Sequence, residues 1–164
     1  MEGIAWMSRP SDRADRFADA VDQHYPGLVR RLTAVVRDPE AALDLAQETY
    51  LRAYRAWDRF DGTDARAWLH TIGLRLAFNE RERRIRWRAR MTDDAGPRWV
   101  APPDRDLHEA LGRLRREHRA ALLLNVIDGY TQAEIAAMLE VPAGTVASWL
   151  SRAKTQMREA LTDA

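Results

Sequence analysis

The chain has 164 residues, with 26 basic and 25 acidic side chains, so its formal net charge of +1 does not by itself indicate a polyanionic partner. Its hydrophobic content of 46% is enough for packed cores and excludes a disordered chain. Cysteine is absent, which excludes disulfides, thiolate metal sites and a cysteine nucleophile.

The remaining composition also argues against metal and membrane functions. The histidines are scattered without a metal-ligand spacing, so we expect neither a metal site nor another cofactor. No apolar run approaches the roughly 20 residues that span a bilayer. Residues 1–13 lack the apolar segment of a signal peptide. We therefore expect a soluble, cytoplasmic protein.

The chain begins with a series of amphipathic helices. The pattern predicts one helix over residues 12–23 and a second that starts at Pro26 and runs to Arg37, because proline suits the first turn of a helix. Asp38 and Pro39 then fit the N-cap and first position of a third helix, which reaches about residue 57.

A turn over residues 60–63 leads to Asp64, which can cap a long helix from residue 65 to about residue 90. The first half of this helix has an apolar face that includes Trp68, which we expect in the core. Between residues 75 and 90 there are seven arginines and two glutamates, so the second half must lie in water or on something charged.

Residues 92–105 are rich in proline, glycine and aspartate and predict a flexible linker. New helices follow from Asp106, and an apolar run over residues 120–127 ends at Asp128 and Gly129 with a glycine C-cap. The chain has no internal repeat and no convincing strand. We predict an all-α fold of two small helical domains, over residues 12–92 and 105–162, joined by a linker over residues 93–104.

The segment from Thr131 to Lys154 has the pattern of a helix-turn-helix. Thr131 and Glu134 fit a capping box, and Pro142 stops the first helix. The second helix opens near residue 143 and has an apolar face at helical spacing: Val146, Leu150, Ala153 and Met157. Its opposite face is small and polar, which favours entry into a DNA major groove over an ordinary solvated hairpin of two helices.

Three motifs in this order resemble those of bacterial sigma factors of the extracytoplasmic-function group. Residues 44–55, DLAQETYLRAYR, resemble the conserved helix of region two. Residues 68–73, WLHTIG, resemble the start of the promoter-melting helix, and residues 144–154, GTVASWLSRAK, resemble the recognition helix of region four. The resemblance implies a non-enzymatic factor that binds core RNA polymerase, directs it to promoter DNA and assists strand opening.

The resemblance also implies roles for particular residues. Contacts with the clamp helices of the largest polymerase subunit fall to Asp44, Leu45, Gln47, Glu48, Leu51 and Arg55. Contacts with the −10 element fall to Phe60, Asp61, Arg75, Phe78, Asn79, Arg83 and Arg84. Contacts with the −35 element fall to Thr145, Ala147, Ser148, Ser151, Arg152 and Lys154. Phe78 lies on the polar side of its helix, so we expect it to be exposed.

Four positions depart from the family pattern. Arg75 and Asn79 stand where the family usually has asparagine and aspartate, which predicts stronger nonspecific DNA affinity. Ala147 and Trp149 stand where basic residues are frequent, which predicts weaker or altered reading of the −35 element. Trp149 is expected to pack partly into its domain.

Other interpretations remain open at this point. A polymerase-independent helix-turn-helix repressor explains residues 105–162 but leaves the first domain's motifs without a role. A sigma-like protein that binds polymerase and reads promoters poorly is a further alternative, whereas an enzyme lacks any recognisable catalytic set. The resemblance also implies a regulatory anti-sigma factor, and Asp93 and Asp94 in the linker are hypothesised to mimic nucleic-acid charge inside polymerase.

Overall fold

The computed structural model describes the backbone of residues 10–88 and 105–162 and the side chains of residues 12–79 and 105–162. These residues form seven α-helices, a short 3-10 turn and no strand, which confirms the predicted all-α class. The elements are α1 (Pro10–Val36), α2 (Pro39–Ala56), the 3-10 turn (Trp57–Arg59), α3 (Ala65–Arg88), α4 (Arg105–Arg113), α5 (Arg116–Val126), α6 (Gln132–Leu139) and α7 (Ala143–Thr162). The predicted linker over residues 93–104 lies outside the described residues. None of the described helices is long and apolar enough to cross a membrane.

The first domain is a bundle of α1, α2 and α3 around a core that contains Leu28, Leu32 and Leu69. Local capping explains where two of these helices begin. The side chain of Asp38 accepts a hydrogen bond from the Ala41 backbone N–H at 3.0 Å. The side chain of Asp64 accepts one from the backbone N–H three residues later, at 2.9 Å. Both caps confirm the sequence prediction, because each satisfies a backbone donor that has no partner within its helix.

The predicted break at Pro26 is wrong, because α1 is a single helix that contains this proline. A proline inside a helix costs about 3 kcal/mol through its missing donor and a steric clash. Residues on both sides of it nevertheless pack on the same core, with Val21 before the proline and Leu28 and Leu32 after it. Each fully buried leucine contributes about 1.5–3 kcal/mol, so this packing outweighs the local cost.

The second domain consists of α4 to α7, and α5 and α7 form its largest helix contact. Leu124, Ile135, Val146 and Leu150 are buried in its core. The turn after α5 contains Gly129 with φ of +78°, the left-handed conformation expected of a glycine that closes a helix. The sequence therefore predicted the end of α5 correctly.

The two domains pack directly against each other, which the sequence did not predict. Helix α3 contacts α6, and α1 contacts α5. One apolar cluster combines Val35 and Leu74 of the first domain with Leu124 and Ile135 of the second. Arg119 of α5 donates to the backbone carbonyl of Val35. The described parts of the two domains thus share a continuous apolar core.

An ionic group also crosses the interface between the two domains, which we call the seam. It is centred on Asp128, in the turn between α5 and α6. The Nε atom of Arg31 on α1 lies 2.6 Å from the Asp128 carboxylate, and Arg66 on α3 pairs with its other oxygen. The Asp128 side chain is only 5% exposed. His70 on α3 is buried beside this group and meets the ring of Tyr130 edge-on, with ring centroids 6.3 Å apart. Two arginines of one domain therefore neutralise one buried carboxylate of the other.

The burial of His70 in this seam makes the free energy of unfolding depend on pH. Burial lowers the pKa of His70 to about 4; Arg66, Arg31 and His24 also lower it, while Asp128 opposes the shift. Because an unfolded histidine titrates near 6.5, the unfolded state takes up the proton first, and the contribution of His70 is lost as the pH falls from 6.5 towards 4. We expect this residue alone to lower the free energy of unfolding by about 2 kcal/mol between pH 7 and pH 5.

Urea denaturation of the wild-type chain and a His70→Gln variant across this pH range measures the effect. Other groups titrate in both proteins, so the difference between the two pH profiles isolates His70. Parallel profiles would contradict the prediction.

Candidate nucleic-acid and partner interfaces

The α2 residues predicted to contact polymerase lie mostly on one exposed face. Asp44, Gln47, Leu51 and Arg55 are exposed. Glu48 is partly exposed and pairs with Arg52, one turn further on, at 2.6 Å. Such an exposed pair contributes little to the free energy of unfolding, so Glu48 can exchange it for a contact with another protein at little cost.

Leu45 differs from the other five predicted contact residues. It is buried in the core of the first domain, so its side chain is not available to a partner. Its backbone carbonyl accepts a hydrogen bond from the Thr49 hydroxyl at 2.6 Å. Leu45 therefore anchors α2 in the core of the first domain and is not part of its exposed face.

The same face of α2 carries three exposed large hydrophobic residues, Leu43, Leu51 and Tyr54. Together with Gln47 they are spaced i, i+4, i+8 and i+11, which places them in one stripe along the helix. We call these four residues the α2 stripe. The sequence analysis did not identify Leu43 as a contact residue, although its position four residues before Gln47 places it on the same helix face. An apolar stripe rimmed by charges is typical of a protein contact surface.

The loop after α2 is held by a cluster of three aromatic rings. Phe60 stacks against both Trp57 and Trp68, with ring centroids 5.1 and 5.0 Å away, and the two tryptophan rings lie 5.9 Å from each other. Trp68 also packs against the core of the first domain, as expected. Beyond Phe60, Thr63 donates to the exposed carboxylate of Asp61 through both its backbone N–H and its hydroxyl, which holds the pKa of Asp61 below its usual value. The loop therefore has a fixed shape and an exposed anionic acceptor.

The residues of α3 predicted to contact the −10 element do not share one environment. Asn79 is exposed, whereas the side chains of Arg83 and Arg84 lie outside the described residues. Phe78 is partly buried against the apolar cluster that joins the domains, so the prediction that it is exposed is wrong. The reason is long-range, because the second domain covers the polar side of α3 at this point.

Arg75 is also engaged by the second domain. Its Nε donates to the backbone carbonyl of Met138 at 2.9 Å, and its Nη2 donates to that of Ala137 at 3.2 Å. Its Nη1 lies 3.1 Å from the Glu140 carboxylate. The guanidinium group thus caps the C-terminal end of α6, where helix carbonyls lack partners and the helix dipole is negative.

The helix-turn-helix has the predicted local structure. Thr131 and Glu134 form a complete capping box at the start of α6. Helix α6 ends before Glu140, which adopts a left-handed conformation with φ of +56°, and α7 begins at Ala143. The predicted apolar face of α7 packs inward, with Val146, Leu150 and Ala153 buried and Met157 packed against the cluster that contains Ala153.

The outer face of α7 presents the residues predicted to read DNA. Ser148, Ser151, Arg152 and Lys154 are exposed, and Thr145 and Ala147 are partly exposed near the start of the helix. Trp149 packs partly against the core, as predicted. A helix N-terminus followed by an exposed polar face is compatible with insertion into a major groove.

Two sequence families match this chain. The family described as "Sigma-70 region 2" matches residues 20–88, and "Sigma-70, region 4" matches residues 104–157. RNA polymerase sigma factor CarQ of Myxococcus xanthus is 32% identical, over 94% of this chain and 95% of its own length. The ECF RNA polymerase sigma factor SigL of Mycobacterium tuberculosis is 32% identical, over 87% of this chain and 86% of its own.

Solved structures share the fold. Sigma factor RpoE from Bartonella quintana, solved in complex with the anti-sigma factor NepR, superposes with a TM-score of 0.80 and 24% identity, over 90% of this chain and 98% of that one. CnrH, solved with the cytosolic domain of CnrY, gives a TM-score of 0.66 and 25% identity, over 93% and 92% of the two chains.

The capping box yields a test of the helix-turn-helix. A Thr131→Ala change removes the hydroxyl that accepts from the Glu134 backbone N–H at 3.2 Å. Because Thr131 is exposed, no cavity forms, and we expect a loss of about 1 kcal/mol in the free energy of unfolding, measured by urea denaturation. A Thr131→Ser variant keeps the acceptor and should lose little. Equal losses in both variants would contradict this role.

Proposed function

The chain is a member of the sigma-70 family, in its extracytoplasmic-function group, and on that basis we propose which exposed surfaces bind polymerase and which bind promoter DNA. As a sigma factor, it binds core RNA polymerase and directs promoter recognition and transcription initiation, and sigma factors as a family are not enzymes. We assign polymerase binding to α2, the −10 element to the loop after α2 together with α3, and the −35 element to α7.

The α2 stripe and the charged residues beside it form the proposed polymerase contact. The observation that carries this assignment is the exposure of Leu43, Leu51 and Tyr54 on one helix face. Gln47 belongs to that stripe, and Asp44, Glu48 and Arg55 lie beside it. An apolar centre with a polar rim is the usual anatomy of a protein interface, and the rim charges select the partner's orientation. The clamp helices of the largest polymerase subunit are the proposed partner.

The loop over residues 60–64 is the proposed site for a base of the opened −10 element. Phe60 is held by its ring neighbours, and the exposed Asp61 offers an acceptor for a base amino group. Asn79, Arg83 and Arg84 follow along α3 as proposed contacts with the displaced strand. Stacking surfaces and arginines are what single-stranded DNA requires. Arg75 and Phe78 are assigned to the same set, and both contact the second domain in the structure.

The −35 element is assigned to α7 and its N-terminus. Thr145 and Ala147 lie where backbone amides and small side chains approach DNA, and Ser148, Ser151, Arg152 and Lys154 follow along the exposed face. The two basic residues suit phosphate contacts, and the two serines suit base edges. The matching families and the relatives named above are those of sigma factors, so they do not favour the alternative of a polymerase-independent repressor.

Two further parts of the proposal concern cellular context. An anti-sigma factor is a proposed partner, because a related fold was solved in complex with one. We place the protein in the cytoplasm, where its polymerase and promoter partners are. Reconstitution with core polymerase, followed by mapping of transcript 5′ ends, tests the whole proposal: promoter-specific transcripts support it, and their absence with all promoters tested contradicts it.

The polymerase contact is tested at Leu51, whose side chain is 53% exposed. A Leu51→Ala change should leave thermal stability unchanged and weaken binding to core polymerase at least tenfold, which corresponds to about 1.4 kcal/mol. A Leu161→Ala variant makes the same chemical change at a similarly exposed position near the end of α7. Fluorescence titration with core polymerase compares them. Equal affinities for the two variants would remove the α2 stripe from the interface.

The −35 contact is tested at Arg152. Removal of one phosphate contact should lower the slope of log affinity against log salt by about one unit and weaken binding to all promoter sequences similarly. An Arg158→Ala variant serves as the control, because it removes the same charge from another exposed position of α7. Holoenzyme affinity for −35 promoter fragments, measured at several salt concentrations, should change for Arg152→Ala only. An unchanged slope would contradict the assignment.

A further inference from the structure

A cavity of about 540 Å³ lies where the middle of α1, the start of α3 and the turn between α5 and α6 meet. Its volume is within the range of about 300–1,000 Å³ that is typical of small-molecule sites. None of the residues that line it is among those assigned above to polymerase or promoter DNA. The function proposed for the exposed surfaces therefore does not account for this cavity.

The lining of the cavity carries an excess of positive charge. Arg30, Arg31 and Arg66 line it, and Asp128 is the only acidic side chain among the described residues that do so. Asp128 is paired with Arg31 and Arg66, whereas Arg30 is exposed and has no carboxylate partner in the described part of the chain. Apart from two histidines, the lining has two more positive than negative charges. This excess matches a phosphate monoester, which carries a charge of about −1.5 to −2 at pH 7, better than a monocarboxylate.

The arginines of the lining retain hydrogen-bond donors for a further anion. Each guanidinium group has five N–H donors in a fixed, planar arrangement. Arg31 pairs with Asp128 through its Nε atom, and Arg66 pairs with it through one Nη atom. The other donors of these two groups suit phosphate oxygens, which guanidinium groups bind through two parallel hydrogen bonds.

His70 gives an independent indication of a polar ligand. This residue lines the cavity and is 3% exposed, and its Nδ1 atom has no hydrogen-bond partner within the described residues. Burial is the main cause that lowers the pKa of His70 to about 4, so its ring is neutral at pH 7 and has one donor and one acceptor nitrogen. Buried polar atoms in folded proteins nearly always have a partner. The Nδ1 atom is thus suited to contact a polar group in the cavity.

The α1 side of the cavity has unusually little side-chain bulk. Gly27 lies inside a helix, where glycine is less favourable than alanine, and a Cβ atom at this position would meet no atom within 4 Å. Its small size is therefore not required by helix packing, but it leaves the cavity open. Pro26 and Ile127, which is 66% exposed, add apolar surface beside the arginines.

We propose that this cavity binds a small molecule that carries a phosphate group, with Arg30, Arg31 and Arg66 as the contacts of the phosphate. Pro26 and Ile127 contact the uncharged part of the ligand. The site is complete only when the α5–α6 turn lies against α1 and α3, because both domains contribute to its lining. The proposal does not depend on the assignment of polymerase and promoter contacts, and it adds a ligand to them.

Nuclear magnetic resonance of the full chain tests the site, with inorganic phosphate as the first probe and with the ionic strength held constant by chloride. The backbone amide of Gly27 and the ring of His70 should shift to saturation, and acetate over the same concentrations should not produce saturable shifts. Glycerol 3-phosphate should shift the same resonances, because the cavity has room for the carbon substituent. Absence of saturable shifts, or equal binding of acetate, overturns the site. Binding of inorganic phosphate without glycerol 3-phosphate overturns its assignment to a phosphorylated small molecule.

A Gly27→Leu variant tests whether the probe lies inside the cavity. The leucine side chain should project into the cavity and abolish the saturable shifts of His70. Its melting temperature should be equal to that of the parent chain or higher, because leucine is the better helix former. A Gly27→Ala variant makes the same backbone change with little added volume and should retain binding. Unchanged phosphate binding by the folded Gly27→Leu variant would contradict the proposal.

The charge contact is tested at Arg30, which can be changed without disturbing the ionic group at Asp128. An Arg30→Gln variant should bind both phosphate probes about tenfold more weakly, as expected for the loss of one charge-assisted contact. An Arg16→Gln variant removes the same charge from another exposed position of α1 and should bind as the parent chain does. Equal affinities of the two variants would show a general charge effect and would exclude Arg30 from the site.

Discussion

A buried carboxylate needs positive partners, and Asp128 finds both of its partners in the other domain. Without a partner at this buried position, the charge would be strongly destabilising, so its pairing with Arg31 and Arg66 ties the position of the α5–α6 turn to the first domain. The position of that turn in turn fixes where α6 meets α3 and thus where Arg75 finds acceptors. The shared apolar cluster supplies most of the burial, but it is not directional, whereas the ionic group specifies one arrangement.

The seam also gives a physical account of an unusual residue. Arg75 stands where the resemblance leads one to expect asparagine, and from sequence alone the change suggests only greater DNA affinity. In the folded chain the long side chain reaches two carbonyls and a carboxylate at the end of α6, which a shorter asparagine on the same helix does not reach in this geometry. The same side chain thus stabilises the packing of the two domains, so its expected contribution to DNA binding depends on that packing as well as on its charge.

The sequence predicted the features that depend on local interactions. Capping residues, the proline-terminated turn and the apolar face of α7 depend on neighbours within a few positions, and the predictions at Asp38, Thr131 and Val146 were confirmed. The wrong predictions concern features that depend on packing with other parts of the fold. Pro26 stays inside α1 because Val21 before it and Leu28 after it pack on the same core. Phe78 is covered by the second domain, which is distant in the chain. Helical periodicity marks which side of a helix is polar but not whether another domain will later cover it. Leu45 was assigned by its place in a motif, whereas its burial follows from the face that α2 packs into the core of the first domain.

The packing of the two domains does not cover all the proposed contact surfaces equally. Leu51 and its neighbours in the α2 stripe are exposed while the domains are packed together, and so are Arg152 and Lys154 on α7. Among the described α3 residues assigned to the −10 element, Asn79 is exposed, whereas Arg75 and Phe78 contact the second domain. The surfaces assigned to polymerase and to the −35 element are therefore accessible in this arrangement, and the surface assigned to the −10 element is accessible only in part.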